Sequence, residues 1–465
     1  DETNGKPGRE SMTLHATRAL IDEALAHAST TREIVIGHGV LTSVADQVST
    51  LFPGRTAVIV ADERTWDIAG REVLAALVGG SYATGEPIIF PATPTLRPDL
   101  AHVARIKAEL GPDTLPIAVG SGTINDLTKR AAFEAELPYI VVATAPSMDG
   151  YTASGAALVA NGVKQTFECP APEAVIADIE ILRDAPDPMI ASGYGDLVGK
   201  VTAGADWILA DALGIEPIMP DVWAMVQGPL RGMIANPERF FQKDDAAIEQ
   251  LFQGLVITGL AIQTAGTTRT ASGSEHQFSH LWEMRGLEYE GEVVSHGKKV
   301  ALGTIISETL YDQLFASPVE SMDVEAAVAS WPTWHEMEHT IRSTHDHPML
   351  VQKALEECGA KYISPEELRG RLTRLRDAWP DLKPRLQEQL LPLDELRAML
   401  LKGQCPTEAG DIGLTREQLR ESYLAAGQIR RRYTVFDIVQ EMGLLHRFVD
   451  NLFAPDGYWS QEKGA

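Results

Sequence analysis

Cysteine is scarce in this sequence: 465 residues contain three, Cys169, Cys358 and Cys405, widely separated and odd in number. That rules out a disulfide framework and any paired-cysteine metal or redox motif, and it suits a reducing compartment. Basic residues are also in deficit, with 40 Lys and Arg against 65 Asp and Glu and a formal charge of -25. So negative a surface repels phosphodiester backbones and anionic lipid, so neither nucleic acid nor a membrane is an expected partner. An anionic substrate would need a local positive feature. No apolar run reaches the roughly 18 residues of a membrane span, and no basic segment leads into an apolar core near the first residues. No stable membrane insertion and a cytoplasmic location are therefore expected. The polar opening DETNGKPGRES reads as a loose tail within residues 1–30, which could also hold a helix.

What is present is a change of pattern along the chain. Short apolar runs alternate with helical stretches over residues 31–185: REIVIG at Arg32, TAVIVAD at Thr56, EPIIF at Glu86, LPIAVG at Leu115 and LPYIVVAT at Leu137. Strands of four to six mostly apolar residues separated by helices, such as LAHVARIKAEL from Leu100, describe a Rossmann-like parallel sheet covered on both faces. Ligands of such sheets bind at the carboxyl ends of the strands. Beyond DAPDPMIASGYGD, long patterned runs rich in alanine, leucine and glutamate favour helices, which predicts an all-α domain over residues 186–465 with a C-terminal helical extension. A length above that at which one core keeps growing agrees with two domains.

Several short stretches carry chemistry. VGSGTINDLTK, from Val119, follows an apolar strand and opens a helix, so Gly120, Ser121, Gly122, Thr123 and Ile124 form a candidate phosphate cradle. It is not the full dinucleotide fingerprint, because Asn125 stands where a third glycine would be, and glycine pairs also make plain turns. Asp62, closing TAVIVAD, sits where a carboxylate can meet an adenosine ribose, or simply cap a turn or helix. TAPSMDG, from Thr144, offers Thr144, Ser147 and Asp149, either to a ligand or to an Asx turn. GYGDLVGK places Asp196 at the expected start of a long helix, with Lys200 one turn on; an aspartate there is ordinarily a cap. GSEHQFSH carries His276 and His280 four residues apart, on one face of a helix. With His296 of SHGKKVALG, one carboxylate and two imidazoles would leave coordination positions open on a divalent ion, as a catalytic metal requires. No sequence rule joins positions 80 and 20 residues apart.

In combination and order, these motifs resemble the superfamily of iron-dependent alcohol dehydrogenase, glycerol dehydrogenase and dehydroquinate synthase. Within it they are most similar to the sn-glycerol-1-phosphate dehydrogenases, especially the bacterial branch found with arabinose-utilisation genes. CPTEAGDIGLTREQLRESYLAAGQIRRRYTVFDI, from Cys405, resembles that branch's C-terminal region. The resemblance implies a dehydroquinate synthase-like fold and a homodimer. Its activity would be metal-dependent, reversible reduction of dihydroxyacetone phosphate to sn-glycerol-1-phosphate by NADH or NADPH, with one Zn²⁺ or Ni²⁺ per subunit. It implies Asp196, His276 and His296 as metal ligands and Asp149, Asp196 and His280 at the substrate; a protein group or a water chain must supply the alcohol proton, and His280 is the candidate. It assigns Asp62, the Gly120–Ile124 turn, Thr144 and Ser147 to the cofactor. The serine the family often has four positions after Asp149 is Ala153 here, with Ser154 next to it as the replacement contact. Lys200, Lys298 and Lys299 are candidates for the substrate phosphate. The rival readings are a dehydrogenase of glycerol or another polyol, a dehydroquinate synthase, and a metal- or nucleotide-binding protein of the same fold without catalysis.

Overall fold

Runs that are apolar at every position cannot leave either face in water, and here they lie at the centre of a parallel sheet. The computed structural model describes residues 14–460. Its strands are β1 (Glu33–Gly37), β2 (Thr56–Asp62), β3 (Ile88–Phe90), β4 (Thr114–Gly120), β5 (Ile140–Ala143), the hairpin β6 (Ala156–Ala160) and β7 (Val163–Phe167), and β8 (Ala174–Asp178). Six of them form one all-parallel sheet in the order β1-β8-β5-β4-β2-β3. β4 and β5 are buried along their whole length, as strands covered by helices on both sides must be. All five expected strands are present, although EPIIF shortens to Ile88–Phe90 at the sheet edge. β8 and the β6–β7 hairpin are additions to that expectation.

Because the strands run parallel, their carboxyl ends share one edge of the sheet. Asp62, Gly120 and Ala143 end β2, β4 and β5 there. The chain steps from β2 outward to β3, then returns past β2 to β4, which makes that edge a topological switch point. The opening DETNGKPGRES lies outside the described residues, and a helix does occupy Leu14–Leu25.

From Asp187 onward helices dominate, with one departure from an all-helical domain. A two-stranded hairpin, β9 (Glu288–Tyr289) and β10 (Glu292–Val293), joins the Ser274–Met284 and His296–Ala316 helices. The Asp245–Ala265 helix has the length and hydropathy to cross a membrane, but 78% of its apolar window is buried inside the protein, so it is a core helix here. Asp196 is also not at a helix start. It occupies the last turn of the Asp187–Val198 helix, and Lys200 opens the next, Lys200–Ala212, across the break at Gly199.

The Asp187–Val198 helix and the two helices joined by the β9–β10 hairpin approach closely because glycines line their contacts. A Cβ at Gly297 would overlap the Ser192 carbonyl, and one at Gly303 would overlap the Glu275 carbonyl. Backbone therefore packs on backbone, which brings Asp196, His276 and His296 together. All three cysteines are free and buried.

Candidate active site

Asp196, His276 and His296 each present a ligand atom, and those atoms lie within 4.8 Å of one another. Asp196 is fully buried and His276 is 5% exposed. Asp196 Oδ1 lies 3.6 Å from His276 Nε2, and the His276 and His296 ring centres are 5.1 Å apart. The far nitrogen of each ring is anchored by a carboxylate. His276 Nδ1 donates to Glu275 Oε1 at 2.7 Å, and His296 Nδ1 donates to Glu283 Oε1 at 2.8 Å. A proton on Nδ1 leaves the Nε2 lone pair free, which is how carboxylates prepare histidines for a metal. One carboxylate and two such imidazoles fit a divalent ion with open positions. Glu275 is held in turn by Thr202 Oγ1 at 2.7 Å and the Gly273 amide at 2.6 Å.

The surrounding charges keep the Asp196 and Glu283 carboxylates ionised. Burial pushes Asp196 upward, but the Lys200 ammonium and the two histidines outweigh it, holding the carboxyl well below its usual range. Burial likewise opposes ionisation of Glu283, and Lys164, Lys299 and His296 overcome it. Lys200 is buried between Asp149 Oδ2 and Asp196 Oδ1, 2.8 Å from each. Both charges it faces are supplied by the protein itself. Lys299 is also buried, 3.3 Å from Glu283 Oε1, and burial lowers it to about 8. His280 shares the helix face, with Nδ1 3.4 Å from Glu283 Oε2 and its ring 5.9 Å from His276. Burial, then the charge of Arg430, pull His280 down to about 3, so it stands neutral.

At the carboxyl edge of the sheet, Gly120 ends β4 and Gly122 begins a 13-residue helix whose first turn has no side-chain cap. A Cβ at Gly120 would lie 2.7 Å from Ile124 Cβ, so close packing of strand on helix requires glycine there. At Gly122 a Cβ would only touch the Met148 side chain, at 3.6 Å, so packing does not demand glycine there, and no side chain caps the helix-end amides. That cradle suits a phosphate. Asn125 has no part in it: buried, it donates to the Gly150 carbonyl and accepts from Tyr139. Asp62 caps the short Glu63–Thr65 helix, accepting from Thr65 N at 2.8 Å. Thr144 and Ser147 are buried beside the cradle, whereas Ser154 is exposed and apart from them in burial.

TAPSMDG bridges the two halves. Thr144 N donates to the Gly120 carbonyl at 3.1 Å, and Asp149 N donates to Asp196 Oδ2 at 2.9 Å. The buried Lys129 ammonium fixes the following loop through the Gly150, Ala153 and Gly155 carbonyls, at 2.8–3.0 Å. Sequence reading passed over Glu275, Glu283, Lys129 and Lys164. Glu283 was accessible in principle, since 276, 280 and 283 recur at helical spacing on one face. Nothing local marks Lys164, which reaches Glu283 Oε1 at 3.3 Å from the β6–β7 hairpin.

Residues 35–186 match the iron-containing alcohol dehydrogenase family. The glycerol-1-phosphate dehydrogenase [NAD(P)+] of Bacillus licheniformis is 33% identical over 308 residues, covering 65% of this chain and 76% of that protein. The protein of the same name from Methanosarcina mazei is 34% identical over 60% of this chain and 76% of its own length. Among solved structures, a probable glycerol dehydrogenase from Sinorhizobium meliloti covers 90% of this chain and 97% of its own, with a TM-score of 0.58 at 14% identity. Glycerol dehydrogenase from Schizosaccharomyces pombe covers 91% of each chain, with a TM-score of 0.55 at 15% identity. The fold is that of these dehydrogenases.

Proposed function

The chain belongs to the glycerol-1-phosphate dehydrogenase family, and from that premise we propose that it interconverts dihydroxyacetone phosphate and sn-glycerol-1-phosphate with NAD(P)H. The observation that carries this reading is the TAPSMDG bridge. It ties the phosphate cradle to the Asp196, His276 and His296 cluster through a few residues, so a dinucleotide and a small ketone would meet there.

Asp196, His276 and His296 would hold the metal. When bound, it supplies a Lewis acid for the C2 oxygen of the substrate, and the nicotinamide supplies the hydride. The protein's own work is positional. Glu275 and Glu283 fix the imidazole tautomers, while Lys200 holds Asp149 against Asp196 so that the carboxylates stay in register. Orientation of this kind removes an entropy cost from the reaction. His280, neutral and on the same helix face, is our candidate for relaying the alcohol proton. Thr144, Ser147, Asp62 and the Gly120–Ile124 turn are assigned to the cofactor. Imidazole and carboxylate donors accept zinc, nickel and iron; zinc or nickel is our reading, which elemental analysis of the purified protein decides.

The metal-loaded protein should reduce dihydroxyacetone phosphate with a much higher kcat/KM than dihydroxyacetone, and chiral analysis should find sn-glycerol-1-phosphate. Equal kcat/KM on the two ketones would replace this reading with a polyol dehydrogenase.

The carboxylates behind the histidines give a second expectation. Glu283→Gln preserves shape but removes the charge that His296, Lys164 and Lys299 share. Metal affinity should fall about 10–100-fold, the usual effect of losing such a supporting partner. A competition titration against a chelator measures it, and unchanged affinity would remove Glu283 from the support.

A further inference from the structure

The helix Lys200–Ala212 carries none of the three metal donors, yet three of its side chains reach the groups around them. Lys200, at its start, lies between Asp149 and Asp196. Thr202 holds Glu275, and Asp206, four residues on and so on the same face, reaches the residue before Glu275. The Asp206 side chain is fully buried. Its Oδ2 accepts from the Ser274 amide at 2.6 Å, and its Oδ1 from the Val435 amide at 2.9 Å and the Tyr311 hydroxyl at 2.6 Å.

Both amides are the first of a helix, Ser274–Met284 and Val435–Glu441. A first-turn amide has no acceptor within its own helix and belongs to the helix's positive end, so a carboxylate suits it. The histidine helix has no side-chain cap of its own, because Gly273 stands at the N-cap position. A Cβ there would lie 2.5 Å from Asp206 Oδ2, so glycine is what admits the distant carboxylate.

Asp206 thereby joins the starts of two helices that also touch side by side. Thr434 Oγ1 donates to Gln277 Oε1, Gln277 Nε2 donates to the Arg432 carbonyl, and the Phe278 and Phe436 rings lie 5.0 Å apart. The buried Arg269 guanidinium reinforces the junction by donating to the Asp206 and Tyr433 carbonyls. Directly after Ser274 come Glu275 and His276. A displacement at the first amide of that helix is carried straight into the imidazole and the carboxylate that fixes it.

We propose that Asp206 is a positioning residue, whose carboxylate clamps the start of the C-terminal Val435–Glu441 helix to the start of the histidine helix and so sets Glu275 and His276 for the metal. The YTVFD stretch then has a role in the site although it supplies no donor. The inference rests on the proposed metal site at Asp196, His276 and His296.

The test compares the full chain with its D206N and V435P variants, each titrated with Zn²⁺ or Co²⁺ well below its melting temperature. Asparagine keeps the size of aspartate but offers one acceptor and one donor, so its amino group must face one of the two helix-start amides. V435P deletes the Val435 amide hydrogen, at a first helical position that proline tolerates. D206N should bind NADH as the wild type does, hold Zn²⁺ about tenfold more weakly, and shift the visible bands of bound Co²⁺. About tenfold is the low end for losing a partner behind a metal ligand. V435P should shift the same bands and weaken Zn²⁺ by about two- to tenfold, the scale of one hydrogen bond. A lower Tm in D206N with the Zn²⁺ affinity and Co²⁺ bands of the wild type would overturn the proposal, since a purely structural aspartate gives that result. If D206N does not fold, V435P decides by the same two readouts. A defective D206N beside an unaltered V435P would overturn the clamp on the C-terminal helix. A wild type that binds neither ion is a different failure: it overturns the proposed metal site, and the role of Asp206 with it.

Discussion

Replacing His276 by alanine should empty the metal site and stop turnover together, whereas replacing His280 should leave the metal in place. The two residues sit one helical turn apart, yet their surroundings differ. His276 is enclosed by Asp196 on one nitrogen and Glu275 on the other, so its ring is a link between two buried carboxylates. Removing it takes away one of three donors and leaves Glu275 without its imidazole partner. Turnover should fall by ~10³-fold or more, since the charge stabilisation lost with the metal exceeds that of a single oxyanion donor. His280 contacts Glu283 at 3.4 Å and belongs to no pair of donor atoms in the cluster. His280→Ala should keep most of the metal and lower kcat/KM by about 10²–10⁴-fold if it relays the proton, with water restoring part of that. Elemental analysis and steady-state kinetics on both variants, run in parallel, decide the matter. Full metal retention in H276A, or metal loss confined to H280A, would reverse the assignment of the pair.

The histidine pair also marks how far the sequence reaches. Residues that act within one element could be read from spacing: His276 and His280 share a face because four residues make one turn, and TAVIVAD and LPIAVG announce strands buried on both sides. The β6–β7 hairpin carried a readable signal as well, since Asn161 and Gly162 stand between alternating apolar residues. Both adopt positive φ, 53° and 76°, the geometry that hairpin turns select. β8 hid behind the proline-containing CPAPE and beside the change in chain character. The position of Asp196 was not legible. Its helix runs from Asp187 and breaks at Gly199, so the carboxylate lies at a helix end rather than a start. Glu283 and Lys164 meet only after the β6–β7 hairpin and the histidine helix fold together. No local pattern ties such residues to one another. The glycine contacts that let three helices touch belong to the same class, because a glycine in a sequence does not say which carbonyl it admits.

The largest effect on stability is expected at Lys200. Its ammonium is fully buried and 2.8 Å from both Asp149 and Asp196, so one cation neutralises two carboxylates that have little water. Lys200→Met keeps the apolar stem and deletes the charge. Two buried anions then face each other, and removing one partner of a buried pair ordinarily costs about 3–5 kcal/mol. The metal-free variant should therefore melt well below the metal-free wild type. A divalent ion at Asp196 would restore the missing positive charge, and Lys200 would no longer repel it. Metal should consequently bind the variant more tightly than the wild type and raise its Tm by more, because stabilisation grows with the ratio of ligand concentration to Kd. Turnover should remain low even in the loaded variant, since Asp149 has lost the group that holds it beside Asp196. Calorimetric melting of both proteins, with and without zinc or nickel, measures each part. A metal-free variant as stable as the wild type would show that the two carboxylates are not held by Lys200. A metal-induced rise in Tm no greater than that of the wild type would separate the ammonium from the metal site.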